Sequence, residues 1–365
     1  MADASHQHPF ALKPHIQRGD LAPPLGQGAN RSAFEKAAGR YIVLSFYHGA
    51  RDAVGQATLR ALEDHRALVE QGKAAFLCVS SAPAEKAELK LEENFPSLTF
   101  LWDTDASARR AYGVGQLRVW IVFDPMLRVL EVIPFRSDGS DREQLFALLE
   151  RLPPPSRALG FETQAPILIL PNVFEPEFCR YLIDLFEQDG GRESGVMRET
   201  AGKAVETFDA GRKRRKDYTI ADEVLMEQVR DRVARRIGPM MIRAYQFKPS
   251  RMERYLIACY SAEDGGHFGP HRDNTVKATE HRRFAVSIFL NDDFEGGGLG
   301  FPEFSDKQIT APVGAAVVFS SSLLHAVGKV TRGRRYVFLP FLHDEEAEQV
   351  RLANLRFLTH PALEA

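Results

Sequence analysis

The sequence predicts two domains of different class: an α/β domain over residues 15–150, and a β-sandwich or barrel with flanking helices over residues 165–365. Three observations carry this expectation. Strand-like and helix-like segments alternate through the first half, the pattern of a largely parallel or mixed sheet covered by helices. Short strands separated by glycine-rich turns fill the second half, which favours a closed or two-layered β architecture. Between them, Arg151-Leu-Pro-Pro-Pro-Ser-Arg157 cannot extend a helix and reads as part of a stiff linker over 151–164. A chain of 365 residues accommodates at least two domains at about 150 residues each.

In the first half, strands are expected at 41–46, 74–79, 119–123 and 128–133, and helices at 57–71, 84–93 and 142–149. Residues 1–14 carry no such periodicity and read as a flexible tail; His6, His8 and His15 are too scattered for a specific site. Gly19-Asp-Leu-Ala-Pro23, Phe46-Tyr47, Tyr112-Gly-Val114 and Arg118-Val-Trp-Ile-Val-Phe-Asp-Pro125 lie along this order of elements. With them, residues 15–150 resemble a thioredoxin-like fold of the peroxiredoxin type. Peroxiredoxin chemistry needs a thiolate just after the first core strand, where the local environment lowers its pKa. Here that window reads His48-Gly-Ala-Arg-Asp-Ala-Val-Gly-Gln-Ala-Thr58 and holds no cysteine. Cys78, Cys179 and Cys259 form no Cys-x-x-Cys pair, and Cys78 sits in an apolar strand where an inert thiol is the default. The domain is therefore expected to be redox-inactive.

In the second half, Met252–Tyr260 reads as a strand and Ser261–Pro270, with Gly265, Gly266, Gly269 and Pro270, as a loop. His271 and Asp273 follow, and an extended backbone puts residues i and i+2 on one face. Further strands are expected at 283–290, 315–320 and 335–341; the second delivers His325 and the third begins with Arg335. Gly296-Gly297-Gly298 is expected to form a hairpin turn, because no Gly-Lys-Ser/Thr pattern of a phosphate cradle follows it. Helices at 177–188 and 221–237 should support the sheet from outside. Two imidazoles and one carboxylate can occupy one face of an iron(II) ion and leave positions open, the ligand set of non-haem iron oxygenases. Arg335 adds a fixed cation with fork geometry suited to a carboxylate.

Residues 165–343 resemble the catalytic domain of 2-oxoglutarate and iron(II)-dependent dioxygenases, in the prolyl 4-hydroxylase-like branch. The resemblance runs through Leu170-Pro-Asn-Val-Phe-Glu-Pro-Glu-Phe-Cys179, the stretch from Tyr260 to Asn274, Phe289 to Leu299, Pro312 to Phe319, and His325 to Tyr336. It implies a double-stranded β-helix (jelly-roll) with flanking helices. It also implies iron ligation by His271, Asp273 and His325, with Arg335 on the distal carboxylate of 2-oxoglutarate and Tyr260 lining the same pocket. Phe289 stands where some relatives place a tyrosine. Fe(II), 2-oxoglutarate and O2 are the implied cofactor and cosubstrates, with ascorbate as a reductant. The implied outcome is hydroxylation of a prolyl or other amino-acid, peptide, protein or small-molecule substrate, coupled to decarboxylation of 2-oxoglutarate. Two other readings stay open: a non-catalytic binding or scaffold protein, and a peroxiredoxin–oxygenase fusion in redox sensing.

Composition narrows the partners. With 44% hydrophobic residues, 26% charged residues and a net charge of −2, the chain has no global pull towards nucleic acid or acidic membranes. Arg212-Lys-Arg-Arg-Lys216 is the exception, expected as an exposed loop or pre-helix segment, or alternatively as a docking patch for an acidic partner. No apolar run approaches membrane-spanning length, and no signal-peptide core precedes residue 15. Few unpaired cysteines fit a cytoplasmic location. A homodimer through the thioredoxin-like domain is a further expectation.

Overall fold

A computed structural model describes residues 15–25, 32–200 and 203–357; the tail expected over 1–14, with His6 and His8, lies outside the described residues. The chain divides into two compact units, Met1–Gln164 with Glu303–Ser305, and Ala165–Pro302 with Asp306–Ala365.

The first unit is built on five strands: β1 (Tyr41–His48), β2 (Ala74–Ser80), β3 (Leu98–Trp102), β4 (Val119–Phe123) and β5 (Val129–Pro134). Their order is β3-β2-β1-β4-β5, with β1, β2 and β3 parallel and β4 and β5 antiparallel to their neighbours. The apolar run of β1 serves two cores. Ile42, Leu44 and Phe46 pack on one face, and Val43 and Tyr47 on the other. A strand buried on both sides reads as a continuous hydrophobic stretch, which is why it was legible. Strand β3 lies outside the expected elements: at the sheet edge Thr99 is exposed and Phe100 only half-buried, which interrupts the apolar run. The helix expected at 57–71 is two, Ala53–Asp64 and Ala67–Glu70; Asp52 caps the first by accepting from Gly55 N at 2.7 Å. That expected at 84–93 is broken at Lys90, whose φ of +47° ends one turn and starts another.

Among the described residues the second unit contains two large sheets and two short two-stranded ones. Its strands begin with β6 (Leu168–Leu170), β7 (Arg192–Glu193), β8 (Val196–Thr200), β9 (Lys203–Thr207), β10 (Lys213–Arg214) and β11 (Lys216–Thr219). Next come β12 (Arg251–Glu253), β13 (Leu256–Ser261), β14 (His267–His271), β15 (Phe284–Phe289), β16 (Glu295–Gly296) and β17 (Leu299–Gly300). The last are β18 (Gln308–Ile309), β19 (Ala316–Ser320), β20 (His325–Val327), β21 (Val330–Arg332), β22 (Arg334–Phe338) and β23 (Phe341–His343). The larger sheet runs β12-β23-β15-β22-β13-β11-β7, with β19 joined to β15 and β6 to β19; the smaller runs β10-β14-β20-β17-β18.

Alternation sorts the larger sheet into two faces. Ile257, Cys259, Ile288, Tyr336 and Phe338 join one core with Phe178, Cys179, Leu182, Leu225, Val229 and Val233 of helices Pro176–Asp189 and Glu223–Arg236. The intervening residues, Tyr260, Ser287, Phe289 and Arg335, point the other way and are also buried. A ring contact of 4.7 Å between Phe319 of this sheet and His325 of the smaller one shows that the second face looks onto the smaller sheet.

Several expectations are corrected here. The strand over 252–260 is broken into β12 and β13 at Arg254, which adopts φ +65°. The loop over 261–270 is shorter, because β14 already begins at His267. The strand over 335–341 splits at Leu339–Pro340, where proline removes a ladder donor. Gly296–Gly298 is no hairpin turn: β16 pairs with β21 and β17 with β18 and β20, so the glycines carry the chain across between sheets. The basic run is not a loop or pre-helix segment but two short strands: Lys213 and Arg215 are buried, while Arg214 and Lys216 are exposed.

Candidate active site

The smaller sheet brings the two histidines together. His271 ends β14, His325 begins β20, and the two are Cα partners in the antiparallel register, with ring centres 4.2 Å apart. Asp273 follows β14 in a short loop held by a bond from its backbone N–H to Ser321 O at 3.0 Å. Its Oδ1 lies 3.6 Å from His271 Nε2 and its Oδ2 3.4 Å from His325 Nε2. One ligand atom from each of the three lies within 4.8 Å of the others.

The outer ring nitrogens decide the tautomers. His271 Nδ1 is 2.9 Å from Gly269 O and His325 Nδ1 is 3.1 Å from Leu323 O. A carbonyl only accepts, so each Nδ1 carries the proton and each Nε2 turns a lone pair towards Asp273. Burial, reinforced by His325 and by the nearby Lys213 and Arg212, holds His271 well below the usual imidazole range. A neutral imidazole is the form that ligates a metal. Two nitrogen donors and one carboxylate oxygen, preset in this way, fit iron(II).

The larger sheet supplies the second half of the site. Tyr260 on β13 and Arg335 on β22 are direct register partners, both 1% exposed. Arg335 Nη2 is 3.4 Å from Ser287 Oγ, while its Nε and Nη1 have no partner. Burial lowers the guanidinium to about 10, which still leaves it charged at neutral pH. Its carbon lies 5.2 Å from the centre of the Tyr260 ring and 4.8 Å from that of Phe289. Phe289 thus offers a π face where a tyrosine would have offered a hydroxyl. A buried cation with two unmet donors on apolar walls has the chemistry to pair with a carboxylate. Arg332 and Arg334, the neighbours in sequence, point outward and pair with Glu295 and Glu187.

Sequence reasoning missed three contributors. Arg215 is 7% exposed, with Nη1 3.4 Å from the Tyr260 hydroxyl and Nη2 2.6 Å from Asp217 Oδ2. Lys213 is equally buried, bonds Ser194 Oγ and Gly195 O, and lies 5.0 Å from the centre of the Phe268 ring, which stacks on His271. Gly297 at φ +63° lets the chain pass where a Cβ would stand 3.1 Å from Arg335 Cδ. The signal for the first two was period-two alternation in Lys213-x-Arg215-x-Asp217, masked by the flanking Arg212, Arg214 and Lys216.

Comparison with known proteins agrees with this site. Residues 255–343 match the 2OG-Fe(II) oxygenase superfamily. A PKHD-type hydroxylase of Maricaulis maris is 28% identical over 177 residues, spanning 46% of this chain and 74% of that protein. One from Shewanella sp. strain ANA-3 is 28% identical over 184 residues, with the same two shares, 46% and 74%. Among solved structures, a Trichoplax adhaerens prolyl hydroxylase in complex with a hypoxia inducible factor oxygen degradation domain peptide fragment shares 16% identity. That match covers 52% of this chain and 87% of that one, with a TM-score of 0.40. The second unit therefore holds a 2OG-Fe(II) oxygenase domain, and the chain is an oxidoreductase of the dioxygenase class. That superfamily uses Fe(II), 2-oxoglutarate and O2, and the His271–Asp273–His325 group fits the iron. A purely scaffolding role is thereby set aside.

Proposed function

We propose that this chain is a hydroxylase of a prolyl or other amino-acid or peptide substrate, coupling its oxidation to decarboxylation of 2-oxoglutarate to succinate. The observation that carries the coupling is the wholly buried guanidinium of Arg335, with Nε and Nη1 unpartnered, in the same barrel as the His271–Asp273–His325 group. The substrate class rests on the likeness to PKHD-type hydroxylases and on the motifs around Tyr260–Asn274.

In this reading His271, Asp273 and His325 hold the iron on one face, and the bound metal supplies oxygen activation. Arg335 takes the distal carboxylate in a fork and so sets the direction in which the keto-acid end points. Tyr260 and Phe289 wall the pocket and exclude water, which strengthens the ion pair. Ser287 orients the guanidinium through Nη2. Incubation with iron, ascorbate, oxygen and 2-oxoglutarate should release succinate, and a peptide and amino-acid panel should reveal which member raises the yield. Arg335→Ala should weaken the apparent affinity for 2-oxoglutarate by about a hundredfold or more, since breaking a buried charge pair costs about 3–5 kcal/mol. An unchanged Michaelis constant would place the carboxylate receptor elsewhere.

We propose further that the first unit is thioredoxin-like and acts by contact, without redox chemistry. Its mixed sheet with helices supports that reading, as does the stretch after β1. Asp52 there pairs with Arg118, and a Cβ on Gly55 would lie 1.8 Å from Gly49 O.

A further inference from the structure

Arg215 occupies the link between β10 and β11, where the chain passes from the smaller sheet to the larger. There it turns inward. Its Nη2 donates to Asp217 Oδ2 at 2.6 Å, its Nη1 lies 3.4 Å from the Tyr260 hydroxyl, and its Nε has no acceptor. The Tyr260 ring is flanked by both arginines, with Arg335 5.2 Å and Arg215 5.8 Å from its centre.

A guanidinium donates and never accepts. The Tyr260 oxygen therefore receives the Arg215 N–H, and its own proton cannot go to either arginine. Arg335 Nε and Nη1 are likewise without acceptors, and the neighbouring carboxylate, Asp217, is bonded to Arg215. Every unmet polar group between the two arginines is a donor, apart from Asp217 Oδ1. What such a pocket lacks is an anion.

We propose that Arg215 is a positioning residue for the cosubstrate: by donating to the Tyr260 oxygen it directs the phenol proton onto the carboxylate held by Arg335. This rests on the reading of Arg335 given above. Asp217 serves by fixing Arg215, which gives a buried ion pair in the barrel a purpose beyond joining two strands. A purely structural pair would act regardless of whether residue 260 carries a hydroxyl, and that difference can be measured.

The test is the affinity of the Fe(II) protein for 2-oxoglutarate by calorimetry under nitrogen, where no turnover occurs, with thermal melting as the control for folding. Arg215→Met should weaken binding about tenfold, the scale of one hydrogen bond to a charged group. Tyr260→Phe should show a similar loss, and the double variant should bind no more weakly than Tyr260→Phe alone. In air, both single variants should raise the Michaelis constant for 2-oxoglutarate by a similar factor. Additive losses in the double variant, or wild-type affinity in Arg215→Met, would overturn the proposal. If Arg215→Met does not fold, Arg215→Lys decides. It keeps the charge without the fork that spans Asp217 and Tyr260, so it should lose as much affinity as Tyr260→Phe; wild-type affinity would overturn the idea. Failure of the underlying reading is seen separately, as unchanged affinity in Arg335→Ala.

Discussion

Asp273 is the anionic member of the group that fits iron, and its two oxygens face the Nε2 atoms of His271 and His325 at 3.6 Å and 3.4 Å. That carboxylate would supply negative charge to a divalent cation held with the two imidazoles. Asp273→Ala or His271→Ala should lower iron content by more than about tenfold, since even outer partners of metal ligands are worth about 10–100-fold in affinity. The fold should survive, because neither side chain belongs to the apolar core. Iron content by atomic absorption and melting by circular dichroism check this, and stoichiometric iron with full activity in both variants would refute the ligand assignment.

At the scale of elements, the last helix illustrates how charge fastens a segment. Helix Glu345–Asn354 follows β23 directly, capped by Asp344, which accepts from Ala347 N at 2.9 Å. Glu348 in its first turns accepts from Arg351 Nε at 2.9 Å and lies 2.8 Å from His343 Nε2 on the strand before it. Arg351, and then His343, hold the Glu348 carboxyl at about 2, against its ordinary 4.5. Because the folded value is the lower one, the stabilisation is complete above pH 4.5 and is lost as pH falls through about 2. Glu348→Gln should therefore lower the melting temperature at pH 7 and reduce its decline between pH 4.5 and pH 2. Parallel decline in variant and wild type would show that the contact carries no linkage.

For the molecule as a whole, the cysteines bear on the proposal that the first unit carries no redox chemistry. Cys78, Cys179 and Cys259 are all buried and free. Burial pushes the Cys179 thiol up to about 12 and the Cys259 thiol to about 11, and raises Cys78 strongly as well. A thiol with so little thiolate is a poor nucleophile. A thiol reagent should titrate none of the three in the native protein and all three in denaturant. Cys78→Ser should leave oxygenase activity unchanged, and the intact chain should not consume hydrogen peroxide with a thiol reductant. Cys78-dependent peroxide reduction would make the chain bifunctional. Gly55→Cys is expected to destabilise the protein without creating a peroxidase, because a Cβ there meets Gly49 O at 1.8 Å.

Features that depend on local pattern were legible in the order of residues alone. The strands buried on both faces, β1, β2 and β4, were plain as apolar runs, and the amphipathic helices Pro176–Asp189 and Glu223–Arg236 as periodic ones. His271, Asp273, His325 and Arg335 could be named from their residue types together with the family motifs around them. How those residues meet depends on long-range pairing that no local pattern encodes. The pairing of His271 with His325 is a matter of register between strands far apart in sequence, as is that of Tyr260 with Arg335. Arg254 and Pro340 ended strands that composition would have continued. The basic run at 212–216 shows the limit most clearly. Charge alone places arginine in water, and only the packing of the two sheets, which brings Asp217 and Tyr260 within reach, offsets the cost of burying Arg215 in the link between them.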